Sequence, residues 1–166
     1  MDSRCLSIDQ DQLTSTTVRA FSSYWKGKSV GGAAPRRSAI DPLEIPHLLP
    51  YLVIVALERA PFRVRYRLVG TRVVESHGAD FTNRYLDECG FLIEQELLES
   101  YRRVAAHGVP VYLYFEWMRE DWPYDRGRVG ASESGFFPLS SDGATIDMAI
   151  NISDPNVAPR PLIGPA

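Results

Sequence analysis

Hydrophobic positions change their spacing several times along this chain, and each change marks an element. Over residues 12 to 26, Leu13, Val18, Phe21, Tyr24 and Trp25 fall on one side of a helix, with Ser and Thr between them. The polar side carries Thr14, Ser15, Thr16, Ser22 and Ser23, all weak helix formers, so this helix depends on docking rather than intrinsic propensity. Gly27, Gly31, Gly32 and Pro35 make 27–35 a connector. Asp41-Pro42-Leu43-Glu44 combines a cap, a proline at the first helical position and a capping box. Pro46 and Pro50 limit the helix it opens to one or two turns, carrying Leu43, Leu48 and Leu49 into the core.

From Leu52 the period falls to two. Val53–Leu57 is a continuous apolar run, and Phe62–Val69 alternates, with Arg63, Arg65 and Arg67 opposite Phe62, Val64, Tyr66 and Leu68; Ala60-Pro61 joins the two as a hairpin. Residues 78–92 hold turns and helical pieces. Ile93, Leu97, Leu98, Tyr101, Val104 and Ala105 then mark an amphipathic helix that stops at His107-Gly108. Three strands follow. Val111, Leu113, Phe115 and Trp117 alternate with Tyr112, Tyr114 and Glu116; a loop over Glu120–Gly127 leads to a strand over Arg128–Leu139; and the Asp142-Gly143 turn leads to Ile146, Met148, Ile150 and Ile152, alternating with Asp147, Ala149 and Asn151. The order describes an α+β domain, an antiparallel sheet with helices on one face. The expected organisation is an N-terminal helix and connector over 1–34, the sheet domain over 35–153 and a Pro-rich tail over 154–166.

Composition narrows the class. With 166 residues, 45% of them hydrophobic, and a net charge of −3, the chain reads as one globular domain with enough core to need neither metal nor disulfide. Eighteen Lys and Arg against twenty-one Asp and Glu leave no basic footprint, so no nucleic-acid partner is expected. No signal peptide or membrane-length apolar run is evident, and Cys5 and Cys89 stand far apart outside any C-x-x-C, so a cytoplasmic location without a metal site is expected.

Individual motifs carry little chemistry. Gly27-Lys28-Ser29 resembles the end of a phosphate-binding loop, but Ser22 stands where that loop needs glycine, and no strand precedes it. The small residues from Gly130 to Gly135 lack nucleophile-elbow spacing and suit close approach to a sheet. His47, His77 and His107 lie thirty residues apart, without metal-ligand spacing; His107 suits a helix C-terminus, whereas His77 borders a candidate cavity. Glu133 is the one carboxylate in a strand of apolar and small residues, and is either a solvated side chain or a pocket polar group. Aromatic residues are the positive feature: Tyr66, Phe115, Trp117, Phe136 and Phe137 on neighbouring strands, with Tyr112 and Tyr114 opposite. Two aromatic faces need two covers, and the cover for Tyr112 and Tyr114 is the N-terminal helix or a second subunit.

Four segments in order, 35–42, 66–71, 78–87 and 137–143, resemble the signature segments of a bacterial PAS-like family, over about residues 13–153. The family's Thr-Gly-Arg turn is Thr82-Asn83-Arg84 here, and asparagine is the non-glycine residue that best tolerates positive φ. The resemblance implies a five-stranded antiparallel PAS sheet with helices on one face, plus the N-terminal amphipathic helix. It implies a sensory or protein-interaction domain rather than an enzyme. Cys89-Gly90-Phe91-Leu92 only superficially resembles the flavin-photoreceptor motif, and His107 lies off the apolar stripe of its helix, so flavin and haem are not supported and the cofactor stays open.

The expected function is a stand-alone sensor with a small molecule in an apolar cavity lined by Tyr66, Leu68, His77, Phe115, Trp117, Glu133, Phe137 and Met148. The signal is expected to leave through a protein partner. A homodimer is expected through Leu13, Val18, Phe21, Trp25, Tyr112 and Tyr114. Two alternatives compete: a ligand-free structural adaptor, and a cone-shaped α+β isomerase or hydratase using Glu133 with Tyr66 or Tyr114.

Overall fold

A computed structural model describes residues 3–118 and 129–160; the loop expected over Glu120–Gly127 and the end of the Pro-rich tail lie outside the described residues. The chain runs β1 (Ser3–Ile8), α1 (Thr16–Lys28), β2 (Leu52–Glu58), β3 (Arg63–Val69), α2 (Thr71–His77), α3 (Glu94–His107), β4 (Val111–Met118), β5 (Val129–Ser140) and β6 (Ile146–Asp154), with short 3-10 turns between. The six strands form one antiparallel sheet in the order β1-β4-β5-β6-β2-β3. The sheet thus has one strand more than expected. Ser3–Ile8 lacks apolar alternation strong enough to mark it as a strand, and forms one because β4 offers a free edge, with Cys5 opposite Phe115.

Each face of the sheet has its own core. On the outer face, Leu13, Val18, Phe21 and Trp25 pack with Tyr112, Phe137, Leu139, Ile150 and Ile152. The Phe21 and Phe137 rings meet edge-on at 4.9 Å, and the Trp25 indole donates to the Pro138 carbonyl at 2.9 Å. Burial of each such side chain stabilises by ~1.5–3 kcal/mol, whereas a weak helix former costs at most ~0.7 kcal/mol, so docking outweighs the poor propensity of α1. A Cβ on Gly135 would lie 2.5 Å from the Phe137 ring and 3.1 Å from Val18, so glycine lets α1 sit close.

On the inner face, α2, α3 and the segment between them cover Val53, Val55, Val64, Tyr66, Val111, Leu113, Phe136 and Ala149. Two left-handed glycines, Gly78 and Gly108, stop α2 and α3. Asn83 adopts the positive φ expected of it, 68°, and its N–H and the Arg84 carbonyl pair with Tyr66, which covers the open edge of β3.

Several local expectations are corrected. The segment after Asp41 forms only 3-10 turns, and Leu43 is 88% exposed rather than in the core, because the Asp41 side chain caps Leu43 N–H and turns its side chain outward. α1 runs through Gly27 to Lys28, so the connector starts later; β1 pairs with β4, and α1 packs on the outer sheet face. The described part of the tail is fastened: Arg160 N–H donates to the Tyr114 hydroxyl at 2.8 Å, and its guanidinium to Glu133 at 2.9 Å.

Candidate functional site: a cleft between the inner sheet face and the helices

Between the inner sheet face and the α2–α3 layer lies a cleft of ≈ 780 Å³. Alternation along each strand decides what reaches it. Phe115 and Trp117 project from β4, Ser132 and Ser134 from β5, Asn151 and Ser153 from β6, and Tyr66 from β3. The opposite wall is supplied by Val73 and His77 of α2, Phe81, Phe91 and Ile93 of the following segment, and Leu97 and Tyr101 of α3.

Aromatic contacts hold the walls. Phe81, Phe91 and Tyr66 pack edge-on at 4.6 to 6.1 Å, and the His77 ring adds to them at 5.5 and 5.3 Å while its Nδ1 faces the Val73 carbonyl at 3.0 Å. Across the cleft, Phe115 and Trp117 stack at 5.3 Å, 27° from parallel. A Cβ on Gly130 would lie 2.5 Å from the Trp117 indole, so only glycine lets this ring lie on the sheet. That is the close approach expected of the small residues in β5.

The floor is polar and neutral. Ser134 donates to Ser153 at 3.1 Å, and the Asn151 amide donates to the Gly135 carbonyl at 3.0 Å. Tyr66 and Tyr101 line the cleft, and their hydroxyls make no hydrogen bond among the described residues. Burial pushes both phenols up, Tyr66 further with Tyr101 and Cys89 beside it, so both remain protonated donors at neutral pH.

Of the eight expected cavity residues, Tyr66, His77, Phe115 and Trp117 line the cleft. Leu68, Glu133, Phe137 and Met148 lie on the outer face. In β3 the register slips so that Ile54 faces Leu68 while Val55 faces Tyr66; Arg67 is the extra residue, and Leu68 turns to the outer face, 45% exposed. Phe137 and Met148 have the opposite parity to Phe136 and Ala149 and join the α1 core.

Glu133 is fully buried under the start of α1. Its carboxylate accepts from Thr14 N–H (2.9 Å), the Thr14 hydroxyl (2.7 Å), Ser15 N–H (2.8 Å) and Arg160. Burial alone would raise its pKa; the Ser15 and Thr14 N–H groups, the Thr14 hydroxyl and Arg160 more than offset that, leaving it lowered. Ser15 caps α1 through Val18 N–H, and its own hydroxyl donates to Asp154 at 2.6 Å. The acid–base pairs considered from sequence are therefore not assembled at the cleft. Tyr66 lies on the other side of the sheet, and the Tyr114 hydroxyl is engaged by Glu116 and Arg160.

The six residues expected at a dimer contact, Leu13, Val18, Phe21, Trp25, Tyr112 and Tyr114, are all buried within the one chain, because α1 covers its own sheet. Residues not anticipated at the site include Phe81, Phe91, Tyr101, Ser132, Ser134, Asn151 and Ser153. The available signal was polar residues alternating in β5 and β6, strands too central to face water. Among the described residues, no helix is long and apolar enough to cross a membrane, and no cluster of three metal-ligating side chains occurs.

The architecture defines a class: an antiparallel sheet with a helical layer over one face, enclosing a mixed aromatic and polar cleft. A family model described as a PAS domain matches residues 13–122, α1 through β4 and slightly beyond, and the chain belongs to that family. No curated protein matches. Among solved structures, one titled "Structure of an RNA-binding Light-Oxygen-Voltage Receptor" is similar at 15% identity and a TM-score of 0.45, over 93% of this chain and 38% of that one. The chain thus spans well under half of that receptor.

Proposed function

We propose that this PAS domain is a small-molecule sensor whose ligand sits in the cleft and whose output is contact with a signalling protein. The cleft carries the reading: it has the volume of a small-ligand site, aromatic walls, and a few convergent polar groups on the floor. A domain with a merely structural core has no need for a polar floor beneath seven aromatic or imidazole rings. Cys5 and Cys89 are both free, which suits a reducing cytoplasm. A second copy of the chain is the simplest protein partner, using surface other than the residues buried under α1.

Native mass spectrometry of protein purified from a cytoplasmic extract tests the reading, since it reports retained ligand mass and subunit number together. The expected result is a non-covalent adduct of a few hundred daltons that Trp117→Ala loses. An adduct retained at wild-type level by Trp117→Ala and Phe115→Ala would place the ligand elsewhere and overturn the reading.

A further inference from the structure

We infer that the cleft selects an uncharged, planar aromatic ligand that carries a carbonyl beside an N–H, as in a lactam or an aryl carboxamide. The inference rests on the cleft being a ligand site and names the chemistry of its occupant.

Three buried polar side chains lining the cleft have hydrogen-bonding capacity left over. Tyr66 is 4% exposed, Tyr101 1% and Asn151 9%. The two phenols come from opposite walls, β3 and α3, both line the cleft, and neither hydroxyl makes a hydrogen bond among the described residues. Each can donate, and together they suit one carbonyl oxygen. Asn151 spends an N–H on the Gly135 carbonyl, which leaves its Oδ1 as an acceptor without a partner among the described residues. It suits a ligand N–H. Ser153 accepts from Ser134, so its own hydroxyl hydrogen is free to reinforce the carbonyl contact.

Charge and shape supply the remaining constraints. Among the described residues the floor holds no cation; Arg72, at the rim, is paired with Glu75 at 3.2 Å and mostly exposed. A carboxylate on the floor would lose its hydration without an opposing charge, a larger penalty than burying a neutral carbonyl. The Phe115–Trp117 stack, 27° from parallel, forms one flat wall suited to a ring rather than an alkyl chain, and the edge-on Phe81–Phe91 pair closes the other side.

The test uses the full chain and three probes of similar shape: 2-quinolone, naphthalene and 2-naphthoate, with decanoate as an aliphatic control, titrated by calorimetry or equilibrium dialysis. Tyr66→Phe, Tyr101→Phe and Ser153→Ala remove one hydroxyl each, and Asn151→Leu removes the acceptor. The expected result is binding of 2-quinolone that weakens about five- to tenfold in Tyr66→Phe, Tyr101→Phe and Asn151→Leu, with naphthalene unchanged. The Phe variants keep the fold intact even where Asn151→Leu does not. Equal effects on 2-quinolone and naphthalene, or no 2-quinolone binding at all, overturn the ligand class. Tighter binding of 2-naphthoate or decanoate that is lost in Trp117→Ala also overturns the class, but leaves the cleft standing as the ligand site. Probe binding indifferent to Trp117 overturns the cleft reading itself.

Discussion

Glu133 and Thr14 are 119 positions apart in the chain, yet the carboxylate of one accepts both the backbone N–H and the hydroxyl of the other, at 2.9 and 2.7 Å. Ser15 N–H and Arg160 complete the shell, so one buried side chain of a central strand holds the N-terminus of α1 and the C-terminal segment to the outer sheet face.

Glu133→Ala should destabilise the protein by about 3 kcal/mol, and Glu133→Gln by about 2 kcal/mol, because the amide keeps the volume but turns a donor toward groups that already donate. Urea unfolding with unchanged m-value checks this. The folded pKa of Glu133 lies below its ordinary 4.5, so the unfolded chain takes up the proton first as pH falls. The stabilisation is therefore full above the ordinary value and is lost as pH drops through the lower folded value. Wild-type stability should fall on acidification below ~pH 4.5, and Glu133→Gln should fall less steeply.

Removing residues 1–30 should leave a partly folded, dye-binding, aggregation-prone chain rather than a cleanly dissociated subunit, because Val18, Phe21 and Trp25 are core residues of the same domain. Phe21→Ala alone should cost ~3–5 kcal/mol by urea unfolding. A deletion variant that unfolds as cooperatively as the full chain would contradict the placement of α1.

Tyr101→Phe should leave the stability of the ligand-free protein unchanged or raise it by up to ~1 kcal/mol, since the side chain lines the cleft and its hydroxyl makes no hydrogen bond among the described residues. Thermal unfolding of the ligand-free protein reads this directly. A loss of more than ~1 kcal/mol would mean that the phenol is bonded within the folded chain.

Gly130→Ala should lift the Trp117 indole off the sheet and weaken any cleft ligand several-fold while leaving α1 docked. Tryptophan emission compared with a Trp117→Phe control reports the ring, and Trp25 provides the internal reference for α1. Emission and affinity both unchanged would show that the strand shifts to accommodate the methyl.

Local periodicity made most elements legible. The alternation of Val111 to Trp117, the Asp142-Gly143 turn, the stop at Gly108 and the positive φ of Asn83 are consequences of steric and hydrogen-bonding rules that act within a few residues, and all appear as expected. The amphipathic stripe of α1 was legible in the same way. β1 was not, because its pairing depends on an edge that β4 supplies from more than a hundred residues away.

The sequence by itself determined the α+β class, the helical and strand parity inside each element, and the aromatic character of the sheet, because those properties follow from side-chain spacing alone. Only the tertiary structure decided which parity faces the cleft. Parity carries across strands through register, and one extra residue at Arg67 sends Leu68 to the opposite face from Tyr66. The same pairing buried Glu133 as the anchor of α1 and brought Tyr66, Tyr101 and Asn151, from three separate elements, around one cavity.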